Sequence, residues 1–383
     1  MKMYNISRSD KFGIQIDLDK SHDSFLFNNN ENREILDFFG MYASCPLGYN
    51  HAIFKTEEFK REILKVSHIK VSNCVASSDV SLEFDKLFSK FSPRRFPYKY
   101  YCCTGSLAVE AGIKTALESY SASNPKVITF PKSFHGGNAW GSFFTSRDAP
   151  VDFVLKGYPK TYALECQETM SAIQEAHDNF NIAAVLIEPL RSTFGDIKFD
   201  KEFLKDLNEF CKERNIPIIV DEVQTGMGST GTYWFYEQLP IIPDILIFGK
   251  KSQLSGIMVT EEFSHIFKQD GCKLEVTWDA TLFDMVRCKH ILKAYEDLNI
   301  LSNVKERAHQ LITGIKNPKV KNLRNEGLLV AFDFDTEIER NEFQTECYAQ
   351  GLLLNKAGTN TIRLRPNLAV TEKEIDLALQ IIN

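Results

Sequence analysis

Three stretches of the sequence combine residue types that could do chemistry. The run IIVDEVQTGMGSTG closes an apolar segment, Ile216–Val220, with Asp221, then offers Gln224, Gly226, Gly228 and Gly231. A carboxylate at the end of a buried strand, leading into a polar glycine-rich loop, suits a cofactor; a turn or cap is the plainer alternative. A second apolar segment, Asp244–Phe248, runs into Gly249-Lys250-Lys251. An amine there could condense with an aldehyde, although a Lys-Lys pair alone reads as two solvated charges. The third stretch, Thr104-Gly105-Ser106, opens a helical pattern. Free amides at a helix start favour a phosphate or serve an ordinary Ser/Thr cap. Together, a phosphate cradle, a carboxylate and a lysine at successive strand ends are what pyridoxal phosphate requires. The carboxylate keeps the ring nitrogen protonated, and the lysine binds the aldehyde and shuttles the proton.

The elements that must hold these residues alternate between short apolar runs and longer helical patterns, the signal of a parallel sheet with crossover helices. Val127–Phe130, Ala183–Ile187, Ile216–Val220 and Asp244–Phe248 are expected strands, with Gly256–Thr260 a further candidate. Ala183–Ile187 does not alternate, as expected of a strand buried on both faces. Leu107–Tyr120 and Asp200–Asn215 are expected helices, the second carrying Phe203, Leu204, Leu207, Phe210 and Cys211 at helical spacing. Downstream the texture changes to a helix at about Leu282–Leu298, short strands at Leu328–Asp333, Leu352–Leu354 and Thr361–Leu364, and a last helix after Thr371. Ligands of open parallel sheets bind beyond the carboxyl ends of the strands, where the three stretches fall.

Spelling and order together resemble the class III aminotransferases of fold type I, and within them the lysine ε-aminotransferases, over about residues 33–383. The likeness runs through LDFFGMYASCPLGYNHA (Leu36–Ala52), SLAVEAGIK (Ser106–Lys114), FHGG (Phe134–Gly137), IEP (Ile187–Pro189), DEVQTGMGSTG (Asp221–Gly231), PDILIFGKKSQLSGIM (Pro243–Met258), the Thr277–Arg287 stretch and TIRLRPNL (Thr361–Leu368). It implies an α/β fold: a large doubly wound, mostly parallel sheet domain over residues 53–275 and a smaller C-terminal α/β domain over 276–383. Residues 1–52 would form an N-terminal segment associated with the small domain. It also implies that Lys250 is the Schiff-base lysine, with Lys251 its solvated neighbour. Asp221 would pair with the pyridinium nitrogen and Gln224 with the ring 3-oxygen. Phe134 would stack on the ring beside His135, and Gly105 and Ser106 would hold the phosphate. Thr277 would reach that phosphate from the other subunit of a homodimer. Arg363 would receive a substrate carboxylate through a bidentate fork.

Three positions depart from that family's pattern. Gly137 stands where the lysine enzymes carry an arginine, and Thr193 stands where they carry a glutamate that neutralises the carboxylate-binding arginine. Asp279-Ala280 replaces two glycines beside the expected phosphate, which a carboxylate repels unless it is turned away or paired. The expected activity is transfer of a terminal amino group, with L-lysine the leading donor, to 2-oxoglutarate. The alternatives are another amine or amino-sugar donor, or a protein of this fold that has lost turnover and acts as a binding partner.

Composition bounds the rest. The 383 residues carry 45 basic and 51 acidic side chains, a net charge of −6 that disfavours nucleic acid as a partner. No apolar run approaches the roughly 20 residues of a membrane span, and the opening residues lack a signal-like stretch, so a cytoplasmic protein is expected. Nine cysteines without a CxxC pair and eight scattered histidines point to reduced thiols and no metal.

Overall fold

The computed structural model describes residues 13–146, 162–268 and 273–383; the opening residues and Cys272 lie outside them. A seven-stranded sheet forms the centre. Its spatial order is Tyr98–Cys102, Ser255–Val259, Ile245–Phe248, Ile218–Asp221, Ile182–Ile187, Lys126–Thr129 and Ala163–Glu165. Ser255–Val259 pairs antiparallel with both neighbours, and the other pairings are parallel. The non-alternating apolar runs are explained by two cores. Ile128, Val185, Ile187, Val220, Leu246 and Phe248 pack on one side of the sheet, while Val127, Ala184, Leu186, Ile219, Ile245 and Ile247 pack on the other. Period-two alternation thus sorts apolar residues between two buried faces rather than between core and water.

The second face is covered by the helix Gly105–Glu118, which lies against Ser255–Val259 and Ile245–Phe248. Gly112 permits this contact, since a Cβ there would meet Ile247 Cδ1 at 3.1 Å. On the other side, the helix Lys201–Glu213 is started by Asp200, whose carboxylate accepts from the amides of Glu202 and Phe203 at 2.9 and 3.1 Å. The helix Leu282–Asp297 packs on Asp79–Phe91 and Glu57–Ser67, two amphipathic helices.

A separate four-stranded antiparallel sheet contains Lys321–Glu326, Leu329–Asp333, Thr361–Leu364 and Asn355–Ala357, in that order. Register puts Arg363 opposite Ala331 on one side and Asn355 on the other. Near the N-terminus, Ile16–His22, Phe25–Asn28 and Arg33–Asp37 form an antiparallel meander, and Leu352–Leu353 pairs parallel with its last strand. The chain then makes a left-handed turn, Gly40–Ala43, with φ of 58° at Gly40, 50° at Met41, 58° at Tyr42 and 65° at Ala43. Gly40 is required there, because a Cβ would collide with the carbonyl oxygen of Arg365. The three non-glycine residues each sit in a region that costs about 1 kcal/mol.

Candidate active site

The loops that follow Tyr98–Cys102, Lys126–Thr129, Ile182–Ile187, Ile218–Asp221 and Ile245–Phe248 carry most of the residues named from sequence, Arg363 and Thr277 lying elsewhere. Asp221 ends its strand and is 4 % exposed; Oδ1 accepts from the Val223 amide at 3.1 Å, and Oδ2 lies 2.8 Å from His135 Nδ1. His135 reaches it from the loop after Lys126–Thr129, so two strand ends meet at one carboxylate. Ser106 stands at the start of Gly105–Glu118, where Thr104 caps the Leu107 amide at 3.4 Å. Gly136, with φ of 121°, brings the 134–137 loop against Ser106, and a Cβ there would collide with its hydroxyl. The helix start and this loop therefore form one wall.

Lys250 follows Ile245–Phe248 after Gly249, where a Cβ would meet Ser255 Oγ at 2.7 Å. Its Nζ donates to Gln224 Oε1 at 2.8 Å. Burial, reinforced by the Arg363 guanidinium, pulls the amine down to about 8, against the opposing pull of Glu188 and Asp221. A turn fixes the lysine: Gln253 N–H donates to the Lys250 carbonyl at 2.8 Å, and Gln253 Oε1 accepts from Arg287 Nε and Nη2 at 3.0 and 2.8 Å. Arg287 was legible only as part of a motif, because its partner lies 34 residues away.

Lys251 corrects the sequence reading. It is 2 % exposed rather than solvated, and its Nζ donates to the Cys45 carbonyl at 3.1 Å. The segment after the left-handed turn covers it, a contact across 206 positions that no local pattern reveals. The two lysines therefore point to different parts of the protein: Lys250 to the Gln224 loop, Lys251 to the N-terminal segment.

Arg363 enters from the smaller sheet, is 7 % exposed and donates from Nη1 to the Ser192 carbonyl at 2.6 Å. Burial and the neighbouring Arg365 charge lower it to about 10. Arg365 is paired with buried Asp196, whereas Arg363 makes no ion pair among the described residues. Thr193 sits in the short turn Ser192–Phe194, where its carbonyl accepts from the Gly358 amide at 3.2 Å. Gly137 is half-buried just before the helix Ala139–Phe144. Thr277 is exposed, apart from these contacts, on a segment packed against Cys103. Asp279 is turned back on its own backbone, accepting from the Ala280 amide at 3.0 Å, and burial raises its carboxyl.

The site fits a ring that carries a hydrogen-bonding oxygen, a basic nitrogen and a phosphate. Gln224 Nε2, His135 Nε2 and Arg363 Nε are buried without a hydrogen-bond partner among the described residues. Buried donors left open in this way are what a bound polar molecule would satisfy. Glu188 was missed as a site residue, although the signal was the one that marked Asp221: a carboxylate directly after a wholly apolar strand.

Comparison with known proteins agrees with this geometry. The family model described as aminotransferase class-III matches residues 6–383. An L-lysine-epsilon aminotransferase of Mycobacterium bovis is 30% identical, covering 97% of this chain and 91% of that protein. An acetylornithine aminotransferase of Thermosynechococcus vestitus is also 30% identical, covering 92% and 88%. The solved lysine aminotransferase of M. tuberculosis in its internal aldimine form superposes with a TM-score of 0.90 at 28% identity, covering 98% and 95%. The doubly wound sheet expected from sequence is thus the fold type I architecture, and the chain belongs to the class-III aminotransferases.

Proposed function

We propose that the protein transfers a terminal amino group, with L-lysine the leading donor, to 2-oxoglutarate, using pyridoxal phosphate and giving a semialdehyde and glutamate. The observation that carries the reading is the Lys250 amine, 2.8 Å from Gln224 and close enough to Asp221 and Arg363 for their charges to act on it. When bound, pyridoxal phosphate supplies the aldehyde and the electron sink. Asp221, oriented by His135, would hold the proton on the ring nitrogen, and Gln224 Nε2 would donate to the ring oxygen. Phe134 would cover the ring, and Gly105 and Ser106 would hold the phosphate at the helix start. Lys250 takes a proton from the amino-bearing carbon of the substrate; an amine near 8 has the basicity for that role at neutral pH.

Arg363 supplies the carboxylate fork. An arginine without a carboxylate partner in a buried site is costly, by several kcal/mol when fully desolvated, and so favours an anionic substrate. Thr193 carries no charge to neutralise it between half-reactions. Gly137 leaves a second carboxylate clamp absent, which favours the alternative that the best donor is an amine other than free lysine. A shared dimeric site is part of the same proposal, supported by the exposed Val75, Val276 and Trp278, at 82%, 52% and 48%, beside the segment that carries Thr277.

The test compares kcat/KM for L-lysine, N-acetylornithine, 4-aminobutyrate and a simple alkylamine with 2-oxoglutarate, read as glutamate formed, in wild type and Thr193→Glu. Donors bearing a carboxylate should lead by tenfold or more, and Thr193→Glu should narrow that lead. If the alkylamine is best and Thr193→Glu changes no preference, the carboxylate reading fails.

A further inference from the structure

Glu188 follows the strand Ile182–Ile187 and is 4 % exposed. Its two oxygens reach two separate loops. Oε2 accepts from the Phe134 amide at 2.8 Å, and Oε1 accepts from the Ser192 amide at 3.2 Å. The Ser192 backbone passes the contact on through its Cα, because the carbonyl of the same residue accepts from Arg363 Nη1 at 2.6 Å. Beside Phe134, His135 meets Asp221. One carboxyl thus stands between the loop that would cover the cofactor ring and the peptide that aims the carboxylate-binding arginine. Burial and the Asp221 charge push Glu188 up to about 8.

Resting on the transaminase reading, we propose that Glu188 is a positioning residue that couples the two halves of the site, tying the Phe134–His135 loop to Arg363 through the backbone of Ser192. Where residue 193 is a threonine, no side-chain carboxylate orients the arginine, and the backbone carbonyl of Ser192 does so instead. Glu188 fixes that carbonyl from behind. Loss of its double contact should therefore weaken two separate binding events together: cofactor at the ring face and dicarboxylate at Arg363. A residue that served only folding would lower thermal stability and leave both affinities of the folded protein unchanged.

Glu188→Gln tests this, because the amide keeps the shape but turns one acceptor into a donor facing an N–H. Apoprotein is titrated with pyridoxal phosphate by absorbance, and the loaded protein is titrated with glutarate by fluorescence quenching; neither measurement needs turnover. Both dissociation constants should rise about tenfold, the scale of one buried hydrogen bond, because the end that keeps its acceptor is no longer held against the end that loses it, and KM for 2-oxoglutarate should rise more than kcat falls. Glu188→Asp, too short to span both amides, should give the same paired losses if the glutamine variant does not fold. Wild-type affinities in a folded variant, or loss of only one of the two, would overturn the coupling. A wild type that binds no glutarate would overturn the carboxylate role of Arg363, and this coupling with it.

Discussion

Lys250 and Lys251 are adjacent, the first half-buried and the second buried, and both are lowered to about 8, chiefly by loss of water around the amine. Basicity alone does not tell them apart; direction does. Lys250 Nζ faces Gln224, in the loop that begins at Asp221, whereas Lys251 Nζ is held by the Cys45 carbonyl. Borohydride should therefore fix pyridoxal phosphate to wild type and to Lys251→Ala, and not to Lys250→Ala, as read by mass spectrometry of the labelled peptide. The neutral amine is the reactive form, so capture of the aldehyde by apoprotein should rise with pH and reach its midpoint near 8, well below the 10.5 of an ordinary lysine. Label on residue 251, or a midpoint near 10.5, would mean that the second lysine, or a solvated one, is the reacting amine.

Among the elements, the loop after Ile218–Asp221 owes its shape to a buried acid beside the reacting one. Glu222 is fully buried and accepts from the amides of Phe235 and Tyr236 at 2.7 and 2.8 Å and from the Thr225 hydroxyl at 3.1 Å. Burial raises it from 4.5 to about 7. Between those values the folded state holds a proton that the unfolded chain releases. Its stabilising contribution is therefore complete below about 4.5 and is lost as pH rises through 7. Glu222→Gln removes that titration, so the melting temperature of wild type minus that of the variant should shrink from pH 5 to pH 8; a widening difference would reverse the assignment. The strands that present this loop were legible because Ile182–Ile187, Ile218–Asp221 and Ile245–Phe248 are apolar on both faces and end abruptly in polar residues. Tyr98–Cys102 was not, since YKYYC mixes a lysine into half-buried tyrosines and carries no such signature. Nor does composition tell that Ser255–Val259 runs antiparallel, or that residues near 45 and 188 close the site. Those facts depend on contacts between distant parts of the chain.

For the whole molecule, the exposed apolar side chains about Trp278 set the expectation for assembly. Lys70 Nζ stands 4.3 Å over the Trp278 ring, and Cys74 and Cys103 bond the carbonyls of the same segment. The segment is thus ordered by its own chain while its apolar side chains face outward. Wild type should scatter light as the proposed dimer, and Trp278→Glu should scatter as a monomer and bind pyridoxal phosphate more weakly. A monomeric wild type would remove the basis for a shared site. The left-handed turn at Gly40–Ala43 bears on how the protein could be improved or spoiled. Met41, Tyr42 and Ala43 occupy backbone angles that glycine or asparagine would take more readily, yet Tyr42 lies near Arg363. A laboratory selection for heat resistance alone would drift toward glycine at these positions, and in doing so would erase a side chain that stands near Arg363. Variants from such a selection should survive heating better while discriminating less between donors.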